Sequence, residues 1–116
     1  DGGPIAALLD FESASDGTFA YDLAVTILSW CFGDGLDVLL VKKVIEGYER
    51  VRLLTTSERA GLHAEARMAA LRFTVTRITD YAMRPAEAPG ARVMKDWRRF
   101  LARHDALVAL GRIPFD

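Results

Sequence analysis

From residue 20 to 32 the chain is apolar at almost every position, and its only charge in that run is Asp22. At about 100° per residue, Asp22, Thr26 and Ser29 fall on one narrow polar stripe, while Leu23, Val25, Ile27, Leu28, Trp30 and Phe32 cover the rest. A helix of this kind has to be buried on most sides, so the chain must supply further elements to wrap it. The stripe has to face something polar, because a carboxylate taken out of water without a partner is strongly destabilising. Gly33-Asp34-Gly35 ends the helix.

The wrapping elements can be read along the rest of the sequence. Residues 36–52 carry Leu40, Val44, Tyr48 and Val51 at helical spacing. Thr55-Thr56-Ser57-Glu58 reads as a capping box, with Thr55 as N-cap and Glu58 as its reciprocal partner, opening a third helix that runs to about residue 83. Pro85 and the AEAPGA stretch form a loop. A fourth helix is expected from about residue 95 to 110, with Trp97, Phe100, Leu101, His104, Leu107 and Val108 on one face and Gly111 as terminator. Before all of these, residues 5–9 form a short apolar run that reads as one strand of a hairpin, and residues 13–17 have turn chemistry. The fold class is therefore mostly α, one short N-terminal strand or hairpin followed by about four helices. An unpaired strand leaves its backbone groups unsatisfied, so its exposed edge predicts self-association by strand pairing.

With 116 residues, 51% of them hydrophobic, there is material for one domain and one core. A net charge of -1 with 27% charged residues argues against disorder and gives no electrostatic reason to expect nucleic acid or an anionic membrane as partner. Asp22 interrupts the best candidate for the roughly 20 apolar residues that span a bilayer. The single cysteine, Cys31, excludes an intrachain disulfide and reads as a buried thiol in a reducing cytosol, a cytoplasmic setting. The sequence opens on Asp-Gly-Gly-Pro without an initiator Met, which reads as the middle of a longer chain.

Several charged groups compete as functional candidates. In the third helix, Leu62, Ala66, Ala69 and Phe73 define the buried face, and an ideal α-helical projection puts Asp80 on it and Arg77 beside it, with Arg72 on the other flank. Arg77 and Asp80, at i and i+3, suit either a structural ion pair or a pocket for a zwitterion, guanidinium for carboxylate and Asp for ammonium. His63 and His104 lack ligand spacing. Arg92, Lys95, Arg98, Arg99 and Arg103 read as a solvated helix face. Gly33-Asp34-Gly35 is not a phosphate-binding loop, having no strand before it and no Lys-Ser/Thr after it.

The stretch LLDFESASDGTFAYDLA, residues 8–24, remains. A carboxylate at a strand end, followed by Phe and a tight turn, is a place where phosphotransferases hold Mg²⁺ against nucleotide phosphates. This stretch resembles the metal-binding segment of the aminoglycoside phosphotransferase and choline kinase-like superfamily, in which a strand ends in Ile/Leu-Asp-Phe and a helix opens with Tyr-Asp-Leu/Ile-Ala. Within it the chain is most similar to the bacterial homoserine kinases of that fold. The resemblance continues through Trp30-Cys31-Phe32, Glu46-Gly47-Tyr48, Val51-Arg52, Ala70-Leu71-Arg72-Phe73, Thr76-Arg77, Asp80 and Lys95-Asp96, nearly the whole chain.

The resemblance implies the helical part of the C-terminal lobe of a protein kinase-like fold. Residues 1–116 would be one partial domain, 1–19 its metal-binding strand and turn and 20–116 its helical subdomain. It implies Asp10 as Mg²⁺ ligand, Asp22 as the carboxylate that orders the catalytic loop, and Trp30, Arg72, Arg77 and Asp80 at or near the pocket for a small amino-acid substrate. ATP would be co-substrate and L-homoserine the acceptor, a step of threonine biosynthesis, with choline or an aminoglycoside as alternative acceptors. The Gly-rich loop, the nucleotide-positioning Lys and the His-x-Asp-x-x-x-x-Asn loop with the catalytic base would precede Asp1, so the chain alone is expected to be inactive. One departure stands out: Leu28 occupies the position, two residues before Trp-Cys-Phe, where the family usually has Asn. The competing reading is a non-catalytic helical interaction module in which Asp10 and Asp22 are only turn and cap residues.

Overall fold

In the computed structural model, residues 3–11, 14–85 and 95–115 are described. They form four α-helices: α1 (Phe19–Trp30), α2 (Val38–Glu49), α3 (Thr56–Arg77) and α4 (Arg98–Leu110). The expected loop at 86–91, together with Arg92 and Ser13, lies outside the described residues.

Each helix starts where the chain offers a cap. Thr18 opens α1, its hydroxyl accepting from the Tyr21 N–H at 3.1 Å. Asp37 opens α2 by accepting from the Leu39 and Leu40 N–H groups at 2.9 and 3.0 Å. At α3 the capping box is complete: Thr55 Oγ1 accepts from the Glu58 N–H at 3.2 Å, and Glu58 Oε2 accepts from the Thr55 N–H at 2.8 Å. Arg52 adds two bonds to the same carboxylate, at 3.0 and 2.8 Å, and these donors hold the Glu58 carboxyl down to about 2. Gly111 ends α4 at φ 74°, a left-handed conformation that a side chain would strain.

The long α3 packs against α1 on one side and α4 on the other. Its buried face is Leu62, Ala66, Ala69, Ala70 and Thr74. Three alanines in that row keep the surface low, so α1 can lay Leu23, Ala24, Ile27 and Leu28 closely against it. Val41 and Ile45 of α2, and Phe100, Leu107 and Ile113 at the other end, close the same core. Cys31 is fully buried there, and burial, with Asp37 adding to it, pushes the thiol pKa up. Among the described residues, no helix is long and apolar enough to cross a membrane.

Four expectations need correction. Residues 5–9 form no strand, and Ile5 and Leu9 are 85% and 84% exposed. A lone strand has nowhere to place its backbone hydrogen bonds, and no partner strand exists among the described residues. The edge on which self-association was expected is therefore not formed. The third helix does reach residue 82, but its last five residues, Ile78–Ala82, are a π-turn, with the Met83 N–H donating to the Ile78 carbonyl at 2.9 Å. The wider turn takes Asp80 off the projected apolar face, and it is exposed.

On α4 the buried row is Phe100, Arg103 and Leu107, while Val108 is exposed. Arg103, expected on a solvated face, is only 6% exposed and donates from Nη1 to the Leu28 carbonyl at 2.6 Å. That carbonyl belongs to the last turn of α1, where acceptors run out of intrahelical donors. Arg103 is thus a tertiary C-cap, with its guanidinium lying over the rings of Phe100 and Phe32 at 4.9 and 5.4 Å. Trp30 departs from the fourth expectation, a first helix wrapped on most sides, because it is 77% exposed.

Candidate active site

The segment before α1 and the first turns of α1 meet the second half of α3 along a cleft of about 720 Å³. Phe11, Asp16, Tyr21, Asp22, Arg72 and Phe73 are among the residues lining it. Thr18 fixes the two walls relative to each other: its backbone and hydroxyl cap α1, while the hydroxyl donates to Glu65 of α3 at 3.1 Å. Across the cleft, Arg72 Nη1 donates to the Tyr21 phenol oxygen at 2.8 Å. The site therefore offers two carboxylates, one guanidinium, a phenol and aromatic walls, a set that suits a small zwitterion.

Asp10 immediately precedes this wall. It is exposed and holds φ at 71°, the one positive φ of a non-glycine among the described residues. Aspartate tolerates that region better than most residues, yet the conformation still costs something and concentrates at functional positions. It turns the chain so that Phe11 enters the cleft lining, and the Ala14 N–H then donates back to the Phe11 carbonyl at 3.0 Å. Among the described residues no three His, Cys, Asp or Glu side chains form a metal-binding group. A lone carboxylate fits Mg²⁺ nonetheless, because that ion keeps several waters and takes most other ligands from phosphates.

The remaining sequence candidates scatter. Asp22 and Arg72 share the cleft, but Trp30 sits at the other end of α1, roughly 12 Å further along the axis. Arg77 and Asp80 lie outside the cleft lining and do not pair with each other. Arg77 instead lies 4.3 Å over the Phe100 ring and donates to the Asp96 carbonyl at 3.1 Å. Its burial, with Arg99 close by, pushes its pKa down. Asp80 accepts from the Thr79 hydroxyl at 3.1 Å. Leu28, where the family pattern has Asn, is fully buried in the core and is not part of the lining of this cleft. His63 lines a separate cleft of about 350 Å³ near the start of α3, and His104 contacts Asp105 at 3.2 Å.

The residue that spacing did not single out is Tyr21. Its signal was present, since a tyrosine on the opening turn of a helix carries a hydroxyl that needs a partner. What the sequence alone lacked was the partner, which lies on another helix.

Residues 1–54 match the phosphotransferase enzyme family. Among curated relatives the chain is similar to a homoserine kinase of Caulobacter sp. (strain K31), 44% identical over 88 residues, covering 74% of this chain and 28% of the relative. It is also similar to homoserine kinases of Gluconobacter oxydans, 38% identical over 88 residues (74% of this chain, 28% of the relative), and of Gluconacetobacter diazotrophicus, 40% identical over 115 residues (97% and 32%). The chain thus spans 28% to 32% of the length of these relatives. No solved structure matches it.

Proposed function

We propose that this chain is the helical part of the C-terminal lobe of an ATP-dependent kinase that phosphorylates the hydroxyl of L-homoserine, a cytoplasmic step of threonine biosynthesis. The observation that carries the reading is the cleft in which Asp22 and Arg72 come together directly after the positive-φ Asp10. The similarity to homoserine kinases along most of the chain supports the choice of acceptor.

In this reading residues 1–19 form the metal-binding segment and 20–116 the helical subdomain. Asp10 would hold Mg²⁺, which neutralises charge on the nucleotide phosphates when bound. Arg72 binds the carboxylate of the acceptor, and Asp22 braces the catalytic loop. That loop, with its catalytic base, and the nucleotide-binding lobe belong to a part of the kinase outside these 116 residues. The contribution of the present residues is positioning and electrostatics, which dominate phosphoryl transfer. Trp30, Arg77 and Asp80 would then act only from outside the cleft lining.

ADP release by the full-length kinase carrying these residues, measured against L-homoserine, choline and an aminoglycoside, tests the reading. Turnover that depends on L-homoserine is expected, with none from the 116-residue chain alone. Turnover of choline but not homoserine would overturn the acceptor assignment, and turnover of nothing would overturn the kinase.

A further inference from the structure

The Arg72–Tyr21 contact has an unusual feature for a guanidinium on the wall of a charged cleft. Its hydrogen-bond partner is a neutral phenol, at 2.8 Å, although Asp22 is the next residue along α1 and Asp16 lines the same cleft. Among the described residues no carboxylate lies within ion-pair distance of Arg72. An arginine paired with an aspartate has its charge largely neutralised and its planar fork occupied. One held by a phenol keeps both, because guanidinium has five N–H donors and this bond uses one.

The phenol is itself held. Its residue lies in the first turn of α1, where the Tyr21 N–H is bound by the Thr18 hydroxyl at 3.1 Å, and Thr18 in turn reaches Glu65 on α3. The Arg72 guanidinium also lies 5.9 Å from the Tyr21 ring centre, so it borders the ring as well as bonding to its oxygen. The Tyr21 oxygen accepts from Arg72, which leaves the phenolic proton free to be donated. Two donors of different kinds, a guanidinium N–H and a phenolic O–H, therefore sit side by side at the cleft. A carboxylate is the ligand group whose two oxygens match such a pair.

We propose that Tyr21 is a specificity-determining residue: it positions the uncompensated Arg72 guanidinium and, with it, forms a two-donor seat for the carboxylate of an amino-acid acceptor. The inference rests on the cleft being the acceptor site of a kinase, and it adds how a carboxylate-bearing acceptor is told from a plain amino alcohol. A neutral positioning partner makes that discrimination possible, since a site built to bond a group rejects analogues that leave its donors unpaired.

The test compares L-homoserine with 3-aminopropan-1-ol, which has the same amine and hydroxyl and no carboxylate. Both are measured with the full-length kinase as substrates, or the latter as competitive inhibitor. Tyr21→Phe is expected to raise KM for L-homoserine about ten-fold, the scale of a hydrogen bond to a charged group, with kcat and KM for ATP within about two-fold. The constant for 3-aminopropan-1-ol should not move. Arg72→Gln should show the same pattern more strongly, and Tyr21→Phe added to Arg72→Gln should cost clearly less than it does in the wild type, because the two donors act on one carboxylate as a unit.

Equal losses for both acceptors, or additive losses in the double variant, would make Tyr21 a structural residue and overturn the inference. An unchanged KM for L-homoserine in Tyr21→Phe would do the same while leaving the kinase assignment standing. A wild type that uses 3-aminopropan-1-ol but not L-homoserine would overturn the acceptor reading together with the carboxylate seat, and turnover of neither would overturn the kinase with both.

Discussion

Replacing Arg103 probes how the two ends of the core are joined. The side chain contributes one charge-assisted bond, Nη1 to the Leu28 carbonyl at 2.6 Å, and a cation at the C-terminal end of α1. A bond to a charged donor contributes about 1.5–3 kcal/mol and the helix-end charge a further ~0.3–1 kcal/mol. Against this stand the desolvation of the guanidinium and its repulsion from Arg99 and Arg77, which together push its pKa down. The opposing terms leave a net loss of about 1–2 kcal/mol for Arg103→Met, which keeps the packed volume but strands the carbonyl. Arg103→Ala adds a void beside Phe100 and Phe32 and should lose about 2 kcal/mol more.

Urea unfolding of the chain, followed by circular dichroism, reads both as falls in midpoint at constant slope. For a slope of about 1.5 kcal/mol per M, Met lowers the midpoint by about 1 M and Ala by about 2 M. Amide exchange at the end of α1 should speed up in both variants before the rest of the chain is affected. A Met variant as stable as wild type, or more stable, would refute the reasoning: the guanidinium would then be a tolerated cost, and Leu28 would not need its cap.

Two further outcomes concern the helix ends. Glu58, held at about 2 when folded against an ordinary value of 4.5, contributes stability that is fully present above pH 4.5 and fades as pH falls toward 2. A pH series of urea midpoints should show that fall flattened by Glu58→Gln, whose destabilisation relative to wild type is largest near neutral pH and shrinks toward pH 2. Gly111→Ala, at φ 74°, should cost about 1 kcal/mol in the same assay; no loss would mean that the left-handed C-cap is not maintained in solution.

Local chemistry was legible where a segment carried its own instructions. The start of α3 could be placed to the residue because Thr55 and Glu58 satisfy each other's backbone groups within one turn. Gly111 marked the end of α4 for the same reason. Residues 5–9 misled because an apolar run specifies a strand only if another strand is there to receive its hydrogen bonds. Arg103 misled in the opposite direction: charge counting put it in water, and only the stranded carbonyl at the end of α1 draws it inside.

The site divides along the same line. Asp10 and Asp22 stood out through their neighbours in sequence, but the closeness of Asp22 to Arg72 depends on how α1 crosses α3. The projection of Asp80 failed because it assumed α-helical turns through a segment that forms a π-turn. Tyr21 needed the fold to show its partner.

We propose that this chain carries the metal aspartate and acceptor wall of a homoserine-phosphorylating kinase. The most direct test is ³¹P NMR of the full-length kinase with ATP, Mg²⁺ and L-homoserine, run beside Asp10→Asn. The account predicts a phosphomonoester resonance growing with that of ADP in the wild type, and a rate lower by at least about 100-fold in the variant. Retention of the wild-type rate by Asp10→Asn, or no phosphomonoester from the wild type, would contradict it.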